Sequence, residues 1–231
     1  MQAHNQTLSL PVGRMIGFAE YGAPDGLPVL ALHGVPGTRL MYRPADTLAR
    51  RYGLRLLAPD RPGFGLSTSA GRRSLDDWVG DARALIDARR IERFAIAGIS
   101  GGCPFAVATA AAFSDRVRAL ALISPMGPVS ELEGAVDLGL SERLVFLGLS
   151  RRSRLLRAVS ALGNGLFKIA PDFNYDVFVR ALPPADQVIM REPHLKRQVI
   201  EDVHESLRQG GDGARRDLQI FAQPWDCLLY T

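Results

Sequence analysis

The stretch Phe94-Ala-Ile-Ala-Gly-Ile-Ser-Gly-Gly-Cys-Pro-Phe105 runs from aliphatic residues through a glycine-flanked serine into an alanine-rich segment. Residues 93–99 read as a buried strand and 101–113 as a helix, with Pro104 accommodated in its first turn. Gly98 and Gly102 stand two residues either side of Ser100. Without Cβ atoms they let neighbouring backbones approach, so the serine hydroxyl is lifted to the tip of a tight strand-to-helix turn. With 23 Gly in 231 residues the Gly-x-Ser-x-Gly spacing alone carries little weight, and its context decides. A nucleotide-binding glycine loop fits less well: the third position of Gly-x-Gly-x-x-Gly would be Ser100, and no Gly-Lys-Ser/Thr follows.

Two further elements lie upstream. Pro28-Val-Leu-Ala-Leu-His33 reads as a buried strand and leads into His33-Gly34-Val35-Pro36-Gly37, too rich in Gly and Pro to continue as strand or helix. Where a serine attacks an acyl carbon, such a loop supplies one oxyanion-binding N–H and the residue after the serine supplies the other. The candidates are the backbone N–H groups of Val35 and Gly101. His33 ends a strand, which favours a histidine that holds the turn over a general base. After the strand Leu54–Pro59 comes Asp60-Arg-Pro-Gly-Phe-Gly-Leu-Ser67, a turn by composition. Asp60 precedes the serine, whereas the acid of such a triad follows it, so Asp60 reads as a structural carboxylate.

These three segments, in this order and at these spacings, resemble the α/β-hydrolase superfamily, specifically its cap-bearing serine esterase- and lipase-like branch. The likeness extends from about Leu8 to Trp225, loosely over the cap. It implies that Ser100 is the nucleophile, that Val35 and Gly101 form the oxyanion hole, and that His33, Gly34, Gly98 and Gly102 support the motifs. Epoxide hydrolases and haloalkane dehalogenases are similar around His33 and Gly34 but carry Asp where this chain has Ser100.

Elsewhere the pattern agrees with an α/β fold. Thr7–Leu10 and Met15–Tyr21 read as a hairpin around Pro11-Val-Gly13, Tyr42–Arg51 and Leu75–Arg90 as helices, and Val117–Ile123 as a further buried strand. Strands alternating with helices predict a mostly parallel sheet with helices on both faces, its site at the carboxyl ends of the strands. The expected organisation is a core over residues 1–125, a helical cap over 126–222 and a truncated return to the core over 223–231.

Within the cap, Leu140–Leu149 and the aromatics Phe173, Tyr175 and Phe178 are candidates for a pocket wall or for the cap's own core. The Arg cluster in Ser150–Arg157 reads as a solvated helix face in preference to a site for an acidic partner or membrane, since the net charge is only +4. No nucleic-acid motif, membrane span, leader or metal spacing is found, and Cys103 and Cys227 are too few for a disulfide scaffold. A cytoplasmic enzyme of small-molecule substrates, without cofactor or metal, is expected.

In the family the last two strands carry the acid and then the histidine. Here Gln223-Pro224-Trp225 is followed by Asp226-Cys-Leu-Leu-Tyr-Thr231. Some relatives place the acid after the strand that follows the nucleophile helix, but that site reads Ser124-Pro-Met-Gly-Pro128 and the first carboxylate is Glu131. Only His194 and His204 follow Ser100. His194 reads as solvated at a helix start, and His204 as partly buried beside the stripe Ile200, Val203 and Leu207.

The expected function is therefore hydrolysis of a small carboxylic ester or related acyl compound through Ser100, impaired by the missing acid and base. The alternatives are a non-catalytic binding or interaction remnant of the fold, or a carbon–carbon hydrolase or cofactor-free haloperoxidase. Missing strands would also leave Val117–Ile123 as an apolar edge open to self-association.

Overall fold

The computed structural model describes residues 4–71, 73–127, 153–223 and 225. Six strands, β1 (Gln6–Ser9), β2 (Met15–Gly22), β3 (Leu27–Leu32), β4 (Leu54–Pro59), β5 (Phe94–Ile99) and β6 (Val117–Ile123), form one sheet in the order β1-β2-β4-β3-β5-β6. β3 pairs in parallel with β4 and β5, and β5 with β6, while the β1–β2 hairpin adds to β4 antiparallel. The sheet is mostly parallel, as the alternation of strands and helices requires.

Period-two alternation sends neighbouring side chains of a strand to opposite faces. Leu30 and Leu32 of β3, Leu57 of β4 and Ile96 of β5 pack with Trp78, Leu85 and Ile86 of α2 (Leu75–Ala88) and Phe105 and Ala106 of α3 (Cys103–Ala112). On the other face Val29, Ala31, Leu56 and Ala58 meet Tyr42 and Ala49, the latter on α1 (Asp46–Arg51). From β2 to β5 both faces are thus covered, each large apolar side chain contributing about 1.5–3 kcal/mol when fully buried. Trp78 satisfies its indole N–H on Thr109 Oγ1 at 3.0 Å. A capping box between Ser74 and Asp77 starts α2.

The single helix expected over Tyr42–Arg51 is instead a 3₁₀ segment, Arg39–Ala45, followed by α1. Pro44 lacks the N–H that an α-helix continuous from Arg39 would use there, and its ring disfavours the α conformation at Arg43. Five helices follow the second gap in the description: α4 (Ser153–Ile169), α5 (Pro171–Arg180), α6 (Pro184–Met190), α7 (Pro193–Ser206) and α8 (Asp212–Phe221). α8 lies within the 126–222 segment, yet its Ile220 and Phe221 pack in the main core with Phe105.

Tyr175 is buried and donates its hydroxyl to Met190 O at 2.6 Å, whereas Phe173 and Phe178 are 65% and 52% exposed. Among the described residues these two aromatics therefore face outward. Leu140–Leu149 lies outside the described residues, as do Ser150–Arg152 of the Arg cluster and Cys227. Among the described residues no helix is long and apolar enough to cross a membrane.

Candidate active site

Ser100 follows the last residue of β5 with φ of +50°, a region that residues with a Cβ seldom occupy. A 3₁₀ turn, Ser100–Gly102, leads into α3. The flanking glycines are required by contact: a Cβ on Gly102 would stand 2.4 Å from Leu32 O, and one on Gly98 2.8 Å from Ala106 Cβ. The turn therefore wedges against the end of β3 and the first turns of α3, leaving the serine no extended alternative. Half-buried, Ser100 sits at the carboxyl end of β5, flanked in parallel by β3 and β6, where parallel sheets place their ligands.

The loop after β3 closes over it. A Cβ on Gly34 would lie 3.6 Å from Ser100 Cβ, and one on Gly101 would lie 2.8 Å from Val35 Cγ2. Val35 and Gly101 are thus neighbours beside the serine. The Val35 N–H makes no hydrogen bond among the described residues, and Gly101, in the first turn of its 3₁₀ segment, lacks an intrahelical acceptor. The Val35–Pro36 peptide is cis.

His33 is fully buried. Its Nδ1–H donates to Gly34 O at 2.8 Å, and its Nε2 accepts the Arg61 backbone N–H at 3.1 Å. Burial first, then the Arg61 charge, hold it neutral by lowering its pKa well below the usual value. With both nitrogens engaged, it fastens the loop and leaves nothing to accept a proton from Ser100.

Asp60 is equally structural. One oxygen accepts from Arg39 N at 2.6 Å, the other from Arg39 Nη1 at 2.8 Å and Leu66 N at 2.9 Å. Burial raises its pKa to about 6 against the opposing Arg39, which still leaves a carboxylate at neutral pH.

The two histidines that follow Ser100, His194 and His204, are exposed on α7, and His4, before β1, is half-buried and stacked on Tyr21. The expectation that His204 is partly buried fails because the inward face of α7 carries Asp202 and Ser206, and His204 projects from nearly the opposite side. Among the described residues no side chain hydrogen-bonds the Ser100 hydroxyl.

Sequence reasoning missed the polar seam joining α7 and α8 to this end of the sheet. Arg43 pairs with Glu201, Thr38 Oγ1 donates to Asp202 at 2.5 Å, and Arg39 Nη1 meets Glu205 at 2.8 Å. Farther along, buried Asp217 sits between Arg61 and Arg73. A signal for Asp217 existed, since it shares a helical stripe with Gly213, Ile220 and Phe221 and is thus an acid on an apolar face.

Residues 28–148 match the model of the alpha/beta hydrolase fold. The chain is 29% identical over 217 residues to the dihydrolipoyllysine-residue acetyltransferase component of the acetoin cleaving system of Pseudomonas putida, covering 90% of this chain and 51% of that one. It is 31% identical over 136 residues to 2-hydroxy-6-oxo-2,4-heptadienoate hydrolase of Pseudomonas putida F1, covering 54% and 49%. The chain thus spans about half the length of the curated relatives it matches. A hydrolase from Pseudomonas aeruginosa PA01 superposes with a TM-score of 0.67 at 16% identity, over 96% of this chain and 73% of that one. With the mostly parallel sheet, the serine turn and the family match in agreement, the chain belongs to the alpha/beta hydrolase fold family.

Proposed function

We propose that this chain is the nucleophile-bearing part of a hydrolase acting on a small carboxylic ester or related acyl compound. Ser100 Oγ attacks the acyl carbon, and the N–H groups of Val35 and Gly101 receive the oxygen that becomes negative. The observation that carries the reading is Ser100 at φ of +50° with the Val35–Gly101 contact beside it. Such donors act where charge develops, and removing one commonly costs about 10²- to 10³-fold in rate. The hydroxyl also needs a base to take its proton, and among the described residues no side chain bonds to it. Residues 1–125 serve as the core and the helices between 126 and 222 roof the serine, with α8 fastening that roof to the core.

Incubation with a fluorophosphonate, followed by peptide mapping, tests the assignment. Slow stoichiometric labelling of Ser100, lost in Ser100→Ala, is the expected result. Labelling that survives the substitution defeats it, and no labelling at all favours a non-catalytic binding protein of the same fold. A carbon–carbon hydrolase is a second reading, supported by the relative that hydrolyses a 2-hydroxy-6-oxo dienoate, a compound without an ester.

A further inference from the structure

We infer that Arg61, aimed by Asp217 of α8, is a positioning residue that sets the direction of the Val35 N–H. The inference rests on the reading of Ser100 and its oxyanion donors given above. The peptide joining Gly34 to Val35 is a rigid trans plane, so whatever fixes the Gly34 carbonyl at one end aims the Val35 N–H at the other. Two donors hold that carbonyl: His33 Nδ1 at 2.8 Å and Arg61 Nη2 at 3.0 Å. Arg61 also donates from Nη1 to His33 O, and its backbone N–H fixes the His33 ring. One residue thus holds the loop through its backbone, its ring and two carbonyls.

Nothing about Arg61 is left to solvent. It is wholly buried, its guanidinium 4.7 Å from the ring centre of Phe105 and 5.3 Å from that of Phe64. Asp217 Oδ2 accepts from Nε at 3.0 Å and from Nη2 at 2.9 Å, which fixes the plane of the fork. Arg73 takes the other oxygen of Asp217 and donates to Pro62 O at 2.5 Å, but makes no bond to the loop. Asp217 lies 156 residues beyond Arg61, on a helix whose Phe221 packs on Phe105. Docking of α8 is therefore what aims the oxyanion donor, whereas Arg73 supports the same carboxylate without touching the loop.

The two arginines separate positioning from stability. In Arg61→Met, Asp217 keeps Arg73 as a partner; in Arg73→Met, Arg61 keeps Asp217. The second-order rate of Ser100 phosphonylation and the ³¹P shift of the adduct, whose P=O oxygen occupies the oxyanion position, are the readouts. Arg61→Met and Asp217→Asn are expected to slow labelling at least tenfold, and to move the ³¹P resonance toward that of the adduct in denaturant. Arg73→Met should lower the melting temperature yet leave rate and shift within about twofold of the parent. A folded Arg61→Met with the parent's rate and shift overturns the inference, as does a rate that follows melting temperature across all three variants. If Arg61→Met and Asp217→Asn fail to fold, Arg61→Lys keeps the buried charge but loses the two-carbonyl fork. A tenfold slowing then supports the inference, and the parent's rate overturns it. Absence of Ser100 labelling in the parent chain fells the reading of Ser100 and this inference together, and is seen before any variant is made.

Discussion

Ser100 occupies its positive φ because the residues around it leave no other course. Such backbone costs about 1–3 kcal/mol and persists only where packing over-determines it. The glycines beside it are unequal in this respect. A methyl on Gly102 would press on the Leu32 and His33 carbonyl oxygens at 2.4 and 2.6 Å, backbone atoms that cannot move aside without parting β3 from its loop. A methyl on Gly34 meets nothing nearer than 3.6 Å. Gly102→Ala is therefore expected to destabilise the fold by at least ~2–3 kcal/mol, and Gly34→Ala by less than ~1 kcal/mol. Urea unfolding of the two variants decides it, and equal losses would show that the elbow tolerates crowding.

At the scale of elements, the strands and the serine turn were legible in the sequence because both rest on local chemistry: short aliphatic runs, and glycines where backbones touch. The docking of α7 and α8 was not. Their partners lie over a hundred residues away, as with Thr38 and Asp202 or Arg61 and Asp217, and an amphipathic pattern reports a buried face without naming what covers it. For the same reason the stripe of Ile200, Val203 and Leu207 misleads about His204, which is exposed.

The Thr38–Asp202 contact has a consequence for pH. Burial, with Asp60 adding to it and the Thr38 hydroxyl and Arg39 opposing, raises Asp202 to about 7. An unfolded aspartate titrates near about 4. Between those values the folded chain holds a proton that the unfolded chain has lost, so this group's contribution to stability falls as pH rises through the window. Asp60, raised to about 6, acts in the same direction but is common to both proteins in a comparison with Asp202→Asn. The stability of Asp202→Asn relative to the parent should therefore rise by about 1–3 kcal/mol between pH 5 and pH 8. Thermal melts at the two pH values test this, and a difference independent of pH would mean that Asp202 is ionised throughout.

At the scale of the molecule, the sheet ends unequally. On one side it ends in the short strand β1 of the hairpin, with Glu20 of β2 bound by Arg55 and Arg89. On the other, β6 pairs with β5 alone among the described residues, and every residue from Arg118 to Ile123 is exposed, Leu120, Leu122 and Ile123 by 37%, 38% and 50%. Arg118 is the only charge on that strand. An open ladder of N–H and C=O groups with apolar side chains on both faces is the arrangement natural proteins avoid leaving uncovered. A second copy offers the same edge, and a two-fold axis through it would join β6 to β6 antiparallel in one continuous sheet. The isolated 231-residue chain is expected to self-associate at micromolar concentration through this strand. A charge at a strand centre should be intolerable in such a joint sheet yet harmless at an exposed position of the monomer, so Leu120→Lys is expected to shift the population toward monomer without lowering the melting temperature. Sedimentation velocity on parent and variant decides the matter: a compact parent monomer at these concentrations would show that the edge of β6 is already covered.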